Sequence, residues 1–382
     1  MQFTFLILTT QIACSKKPGP VYRHDVFVSG ADGYHTYRIP SLLITQRGTL
    51  LAFCEGRKMG SGDTGNIDLL LKRSEDNGKT WSTAQLIWDA GDDVCGNPCP
   101  VQDRATGTIW LLVTWNRGAD TERQIIRGES EETRRVFALQ SVDEGQSWST
   151  PTDITHVVKD STWGWYATGP GIGIQIQQGQ YQNRLVIPCD HSYNDPDGTV
   201  QDGPFEYGSH IIYSDDHGKS WHLGGVIRPK VNECQVVEVD DGHGTLLMNM
   251  RAYRGKNLRA QSFSRDGGMT WSEIEDVADL IEPVCQASMV RYSWKEQGAS
   301  RLLFSNPASL KREKLSVKMS LDEGKTWPYA KELHAGPAAY CCLGVLRDGQ
   351  VACLYEGGEN NPYERITFVK FQISWLESIT NE

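Results

Sequence analysis

The sequence predicts an all-β chain built as a six-bladed β-propeller of four-stranded antiparallel blades, and three observations point that way. An eight-residue pattern, SxDxGx[ST]W, recurs as SEDNGKTW from Ser74, SVDEGQSW from Ser141, SDDHGKSW from Ser214, SRDGGMTW from Ser264 and SLDEGKTW from Ser320. Its copies start about 50 to 75 residues apart, the length of a four-stranded blade with its loops, and roughly six such units fill the chain. The 38 glycines and 16 prolines among 382 residues suit short strands joined by tight turns better than long helices.

The repeated box has the chemistry of a hairpin turn. Its Asp caps nearby backbone N–H groups, its Gly accepts a positive φ, and its Trp closes the loop against the adjoining strand. Strand-like segments precede the boxes, as at Asp68 to Arg73 and Val136 to Gln140. One blade lacks a box, and the two ends of the chain are expected to complete it, with VYRHDVFVSG near Val21 meeting RITFVKFQISWL near Arg365. No linker rich in Pro, Gly or Ser interrupts residues 21–382, which therefore read as one domain. The boxes themselves are structural, so function has to be read from residues outside them.

Residues 1–20 read differently. The run MQFTFLILTTQIACS, followed by Lys16, Lys17 and Pro18, has the pattern of an export signal or lipoprotein-type leader, with a buried first strand as the competing reading. Ile12 to Cys14 is similar to a lipoprotein cleavage site, which makes Cys14 the candidate lipid anchor, although the usual upstream leucine and basic start are missing. A secreted, periplasmic or cell-surface monomer is expected. No later stretch is apolar enough for a transmembrane span. A formal net charge of -10 argues against nucleic acid as a partner and requires local arginines for any anionic ligand. The 10 cysteines include the close pairs Cys95 with Cys99 and Cys341 with Cys342. No histidine set with zinc spacing accompanies them, so neither metal nor cofactor is expected, and buried free thiols are the commoner state at such positions.

Four clusters carry chemistry. The first is YRIP at Tyr37 to Pro40, with EGR at Glu55 to Arg57 and SGDTGNIDLLLKRS at Ser61 to Ser74. The second is NECQVVEV at Asn232 to Val239, followed by LLMNMRAY at Leu246 to Tyr253. SNPASLKREKLSVKMS from Ser305 is the third, and GPAAYCCLGVLRDGQVACLYE from Gly336 the fourth. This ordered set resembles the non-viral, bacterial-type exo-α-sialidases over nearly all of the chain after Pro20.

The resemblance implies a role for each residue. Arg38, Arg251 and Arg312 would hold the substrate carboxylate, Asp63 would be the acid/base, Tyr340 the nucleophile and Glu233 its base. Glu356 would brace Arg38. Lys311 is the neighbour that strand phase alone cannot separate from Arg312. Arg57 would lie near the pocket, with a surface salt bridge as an equal reading. WGWYATGPGIG from Trp163 is similar to a loop lining the family's pocket, though core packing suits its aromatics as well. Alternation puts Glu233 and Gln235 on one face, where an inward Glu233 would lack a partner unless it served a neighbouring hydroxyl.

These residue types fit the reaction that the resemblance implies. Sialic acid carries a carboxylate on its anomeric carbon, so a carboxylate nucleophile would approach a like charge, whereas a neutral phenol does not. The cost is basicity, since free Tyr and Glu differ by about six pKa units, or roughly 8 kcal/mol for full proton transfer. Nearby arginines are expected to favour phenolate and burial to raise the Glu pKa, while concerted transfer avoids full ionisation. Three arginines give charge-assisted, bidentate bonds that lysine cannot match. The expected partner is a sialylated glycan. Transglycosylation or intramolecular trans-sialidation on the same residues, and a noncatalytic glycan-binding or protein-binding propeller, are the alternatives.

Overall fold

The computed structural model describes residues 21–378, so the expected leader with Cys14 lies outside the described residues. Within them twenty-four strands form four sheets, and nearly all pairings are antiparallel. The first sheet joins two meanders. Thr36–Ile44, Leu50–Arg57, Ile67–Ser74 and Gln85–Trp88 make one, Val94–Gln102, Ile109–Asn116, Arg135–Ser141 and Thr152–Asp153 the other, linked by a single parallel pairing of Ile67 with Val94. Tyr166–Thr168, Leu185–Asn194, Phe205–Ser214 and His222–Ile227 follow, with Ile174–Gln175 also on Leu185–Asn194. Val231–Glu238, Leu246–Ala252, Leu258–Ser264 and Glu275–Ile281 form a four-stranded sheet.

The last sheet has seven strands and contains the closure expected from the sequence. Tyr329–Val345 is long enough to pair with Glu313–Ser320 through its first half and with Gln350–Gly357 through its second. Beyond it, Arg365–Gln372 pairs antiparallel with Tyr22–Val28, placing Tyr22 opposite Lys370 and Val28 opposite Arg365. An edge that would otherwise stay open is thereby covered by the other end of the chain. The leading strands of the meanders then touch in a closed succession, and Tyr329–Val345 returns to pack on Thr36–Ile44.

Apolar clusters fill the spaces between neighbouring meanders. Leu51, Phe53, Leu69 and Leu71 of the first, for example, pack with Ile109, Leu111, Val113 and Leu139 of the second. The boxes pin these joints. In the first box Asp76 Oδ1 accepts from the N–H groups of Lys79 and Thr80 at 3.0 and 2.9 Å, and Oδ2 takes the Thr80 hydroxyl at 2.7 Å. Gly78 has φ +77° and lies so close to Phe368 that a Cβ would sit 2.3 Å from its ring. Gly218, φ +88°, approaches Trp110 in the same way at 2.1 Å. Box Trp81 packs edge to face with Phe368 and Trp221 with Trp110, ring centroids 5.4 and 6.1 Å apart. In these two boxes the tryptophan reaches the neighbouring meander, whereas Trp327 packs on Phe304 within its own, with centroids 5.6 Å apart. Each such box joins two units instead of merely ending a hairpin.

The boxes also make stability pH-dependent. All five aspartates, Asp76, Asp143, Asp216, Asp266 and Asp322, sit below their ordinary pKa. Asp76 falls to about 2 through its bonds from Thr80, while in the other four burial pushes upward and is outweighed by the hydrogen bonds. A depressed folded pKa stabilises fully above the unfolded value near 3.9 and loses that contribution as pH falls towards the folded value. The urea midpoint is therefore expected to drop between about pH 5 and pH 2, and less so in Asp76→Asn. A midpoint unchanged over that range would remove the boxes as acid-sensitive staples.

One backbone irregularity positions the site. Thr36–Ile44, Val94–Gln102, Val231–Glu238 and Tyr329–Val345 each carry one extra residue against their partner, between Arg38 and Ser41, Gly96 and Cys99, Val231 and Cys234, and Ala338 and Cys341. Such bulges re-aim side chains and interrupt strict alternation. Asn97, Glu233 and Tyr340 lie within three of them, and Arg38 borders the fourth.

Candidate active site

The bulges surround a cavity of about 510 Å³. Of the residues given a catalytic or substrate-binding role from the sequence, Arg38, Arg57, Asp63, Glu233, Arg251, Arg312 and Tyr340 line it. Glu356 lies behind the wall, with 0% exposure. A separate pocket of about 360 Å³ is lined by the other ends of the same leading strands, including Leu42, Val237 and Val345. It lacks the phenol–carboxylate pair, and the chemistry belongs to the first cavity.

Tyr340 is the centre of the arrangement. Its hydroxyl donates to Glu233 Oε1 at 2.5 Å, while Arg251 Nη1 donates to Glu233 Oε2 at 2.6 Å and reaches the phenol oxygen at 3.3 Å. Arg38 and Arg312 place their guanidinium carbons 5.1 and 5.6 Å from the Tyr340 ring centroid. All three arginines therefore meet one phenol. Glu233 is partnered by Arg251 as well as Tyr340, and Gln235 bonds instead to the carbonyls of Pro170 and Cys234. The bulge before Cys234 breaks the alternation on which the shared-face expectation rested.

Burial, and then the charge of Glu233, hold the Tyr340 phenol well above its ordinary pKa, although Arg251 and Arg312 pull downward. The arginines favour phenolate as expected, but burial and the Glu233 charge outweigh them. The resting phenol keeps its proton, and Glu233 is placed to take it during attack.

Glu356 ties two distant strands together. It accepts from Arg38 Nε at 3.1 Å and Nη2 at 3.4 Å, and from the backbone N–H groups of Ile39 at 2.8 Å and Tyr340 at 3.1 Å. Ile39 has φ +59°, a conformation costly for a β-branched residue, and the bond to Glu356 helps to fix it. Arg312 Nη1 donates to Tyr363 Oη at 2.8 Å, and Lys311 is exposed, which settles the register left open by strand phase.

Arg57 is buried rather than a surface residue. Its Nη2 lies 2.6 Å from Glu55 Oε2 and 2.8 Å from Asp63 Oδ1, and Nη1 donates to the carbonyls of Ser61 and Gly62 at 2.6 and 2.9 Å. The loop that presents Asp63 is therefore held by one guanidinium. Asp63 leaves 59% of its side chain exposed at the mouth, and Arg38 Nη1 is 3.8 Å away. Partial desolvation pushes its pKa up, but Arg57 and Arg38 outweigh this and keep the carboxyl below its ordinary value.

Other lining residues had no motif to announce them. Arg134 is buried and donates to Asn116 and Asn97 at 2.5 Å and to Thr114 at 2.9 Å, with Trp165 stacked 3.9 Å from its guanidinium. Burial pulls its pKa down to about 10. Of the aromatic loop, Trp165 faces the cavity, whereas Trp163 stacks on His191 with centroids 3.6 Å apart. Glu122 starts a short helix, Glu122–Arg127, whose Thr121 and Gln124 form a capping box. That capping signal was legible, though nothing in it told where the helix would sit. The nine cysteines among the described residues are free and buried, Cys95, Cys99, Cys341 and Cys342 included.

Similarity to known proteins extends along most of the chain. Residues 48–353 match the family model of the BNR repeat-like domain. The chain is 32% identical over 373 residues to a sialidase of Micromonospora viridifaciens, covering 94% of this chain but 55% of that relative. It is 33% identical over 388 residues to Sialidase-3 of Mus musculus, covering 88% of this chain and 91% of the relative. Among solved structures, the Hadza microbial sialidase Hz136 superposes with a TM-score of 0.80 at 31% identity, over 93% of this chain and 69% of that one.

Proposed function

This chain belongs to the sialidase family, and from that premise we propose that it is an exo-α-sialidase, releasing terminal sialic acid from glycans with retention through a tyrosyl intermediate. The single observation that carries the mechanism is the Tyr340 hydroxyl on Glu233 at 2.5 Å with three arginines around the same phenol. Arg38, Arg251 and Arg312 bind the substrate carboxylate and set the anomeric carbon over Tyr340. Tyr340 attacks as its proton passes to Glu233, and the C–O bond to the leaving group breaks as Asp63 protonates the departing oxygen. Asp63 then takes a proton from water, which attacks the anomeric carbon, and the phenol leaves with the proton returned by Glu233. Arg57 keeps the Asp63 loop in reach.

The remaining readings belong to the same proposal. The two compound sheets divide naturally at the Ile67–Val94 link and within Tyr329–Val345, which gives six four-stranded blades with the ends sharing the last. Residues 21–382 are read as one catalytic propeller, acting as a monomer outside the cytoplasm.

The test is turnover of a fluorogenic sialoside, with free sugar resolved from an anhydro product. An acid held ionised at rest must gain a proton to serve, so with poor leaving groups kcat/KM is expected to fall as pH rises. Asp63→Ala is expected to lose roughly a hundredfold in kcat on a poor leaving group and much less on an activated aryl sialoside. No hydrolysis by wild type would sink the function, and an equal loss on both substrates would take the acid role from Asp63.

A further inference from the structure

Arg251 links the two halves of the chemistry, since it binds Glu233 and reaches the Tyr340 hydroxyl. The sheet, however, holds its strand poorly at that point. Pairing of Leu246–Ala252 with Leu258–Ser264 ends at Met250 opposite Ala260, just short of Arg251. On the other edge Arg251 faces the bulge between Val231 and Cys234. Its buried Nε has no partner among the described residues, so only the tip of the guanidinium is held. Where Arg251 points is therefore set by the backbone beneath it.

Two charged side chains outside the cavity take the place of the missing ladder. Glu282 and Arg259 are both 0% exposed, with Arg259 Nη1 2.8 Å from Glu282 Oε2. Glu282 Oε1 accepts the backbone N–H of Ala252 at 2.8 Å, and Asn249 Oδ1 accepts from Arg259 Nε at 2.7 Å. The pair thus grips the strand on both sides of Arg251. Glu282 is itself anchored, because its backbone N–H donates to the Asn257 carbonyl at 2.9 Å, and Arg259 Nη1 also donates to the Cys285 carbonyl at 2.8 Å. A buried ion pair adds little net stability over apolar side chains of similar size, so stability alone does not account for this one. Glu356 shows the same construction beside Arg38, as a buried carboxylate that takes the backbone N–H groups of Ile39 and Tyr340.

Resting on the sialidase reading above, we propose that Glu282, paired with Arg259, is a positioning residue that fixes Arg251 both for binding the substrate carboxylate and for aligning Glu233 with Tyr340. The Tyr340 backbone has its own hold on Glu356, so the effect passes through Arg251. A catalytic group displaced by about 1 Å can lose roughly a hundredfold in rate.

The experiment uses the full chain and an aryl sialoside. Glu282→Leu alone strands a buried guanidinium and is expected to lower Tm, so the informative protein is Glu282→Leu with Arg259→Met, which leaves no charge behind and is expected to melt cooperatively above the single variant. With no acceptor for the Ala252 N–H, this folded double variant is expected to lose roughly tenfold or more in kcat/KM, with KM raised and kcat lowered together. In an Arg251→Ala background the same two substitutions are expected to cost less than about threefold, because the side chain they place is gone. Wild-type kinetics in the double variant, a full loss that persists without Arg251, or failure of the double variant to fold would each overturn the proposal. Turnover of the sialoside by wild type checks the sialidase reading separately.

Discussion

Tyr340→Phe is expected to lower kcat on an aryl sialoside by roughly a thousandfold or more, with a much smaller change in KM. The substitution removes one oxygen. Arg38, Arg251 and Arg312 stay to bind the carboxylate, because none of them depends on the phenol for its principal partner: Arg38 is held by Glu356, Arg251 by Glu233 and Arg312 by Tyr363. What disappears is the covalent route, together with the proton path to Glu233. A direct readout is intact-mass spectrometry with a difluorinated sialic acid substrate whose glycosyl adduct turns over slowly. Wild type should gain the adduct and Tyr340→Phe should not. The same adduct on the phenylalanine variant would put the nucleophile elsewhere.

The protonated resting state of Tyr340 explains why the pair must be so close. Free phenol and carboxylic acid differ by about six pKa units, and burial together with the Glu233 charge moves the phenol further in the unfavourable direction. Full ionisation before attack would be slow. With the acceptor oxygen 2.5 Å away, proton transfer can keep pace with bond formation, so phenolate need never accumulate.

Much of this was legible because it is written in short, local patterns. The five boxes announce repeated turns, and the terminal segments pair as VYRHDVFVSG and RITFVKFQISWL suggest. Bulges are less visible. The extra residue between Val231 and Cys234 turns Glu233 into the cavity while Gln235 bonds to backbone carbonyls, and no hydropathy pattern marks that residue as extra. Arg134 and Arg135 are a plain pair in sequence. The first is buried over Trp165, whereas the second meets Glu132 at the surface, and only the strand's register decides which.

Glu356 provides the second large effect. It is wholly buried and takes four hydrogen bonds, two from the Arg38 guanidinium and two from the backbones of Ile39 and Tyr340. In Glu356→Leu those two N–H groups lose their acceptor, and Arg38 keeps only the exposed Asp63 at 3.8 Å. Breaking one side of a buried ion pair costs about 3 to 5 kcal/mol, because the partner charge stays behind unpaired. Catalysis should suffer with stability, since the same carboxylate sets both the first arginine and the nucleophile's backbone. The discriminating measurement is a double-mutant cycle in urea with Arg38→Met. If the penalty comes from stranding a charge, Glu356→Leu with Arg38→Met is expected to be more stable than Glu356→Leu alone, by about 1 kcal/mol or more. Additive losses would instead trace the penalty to the two backbone N–H groups, and Glu356 would then be a brace for the strands more than for the arginine.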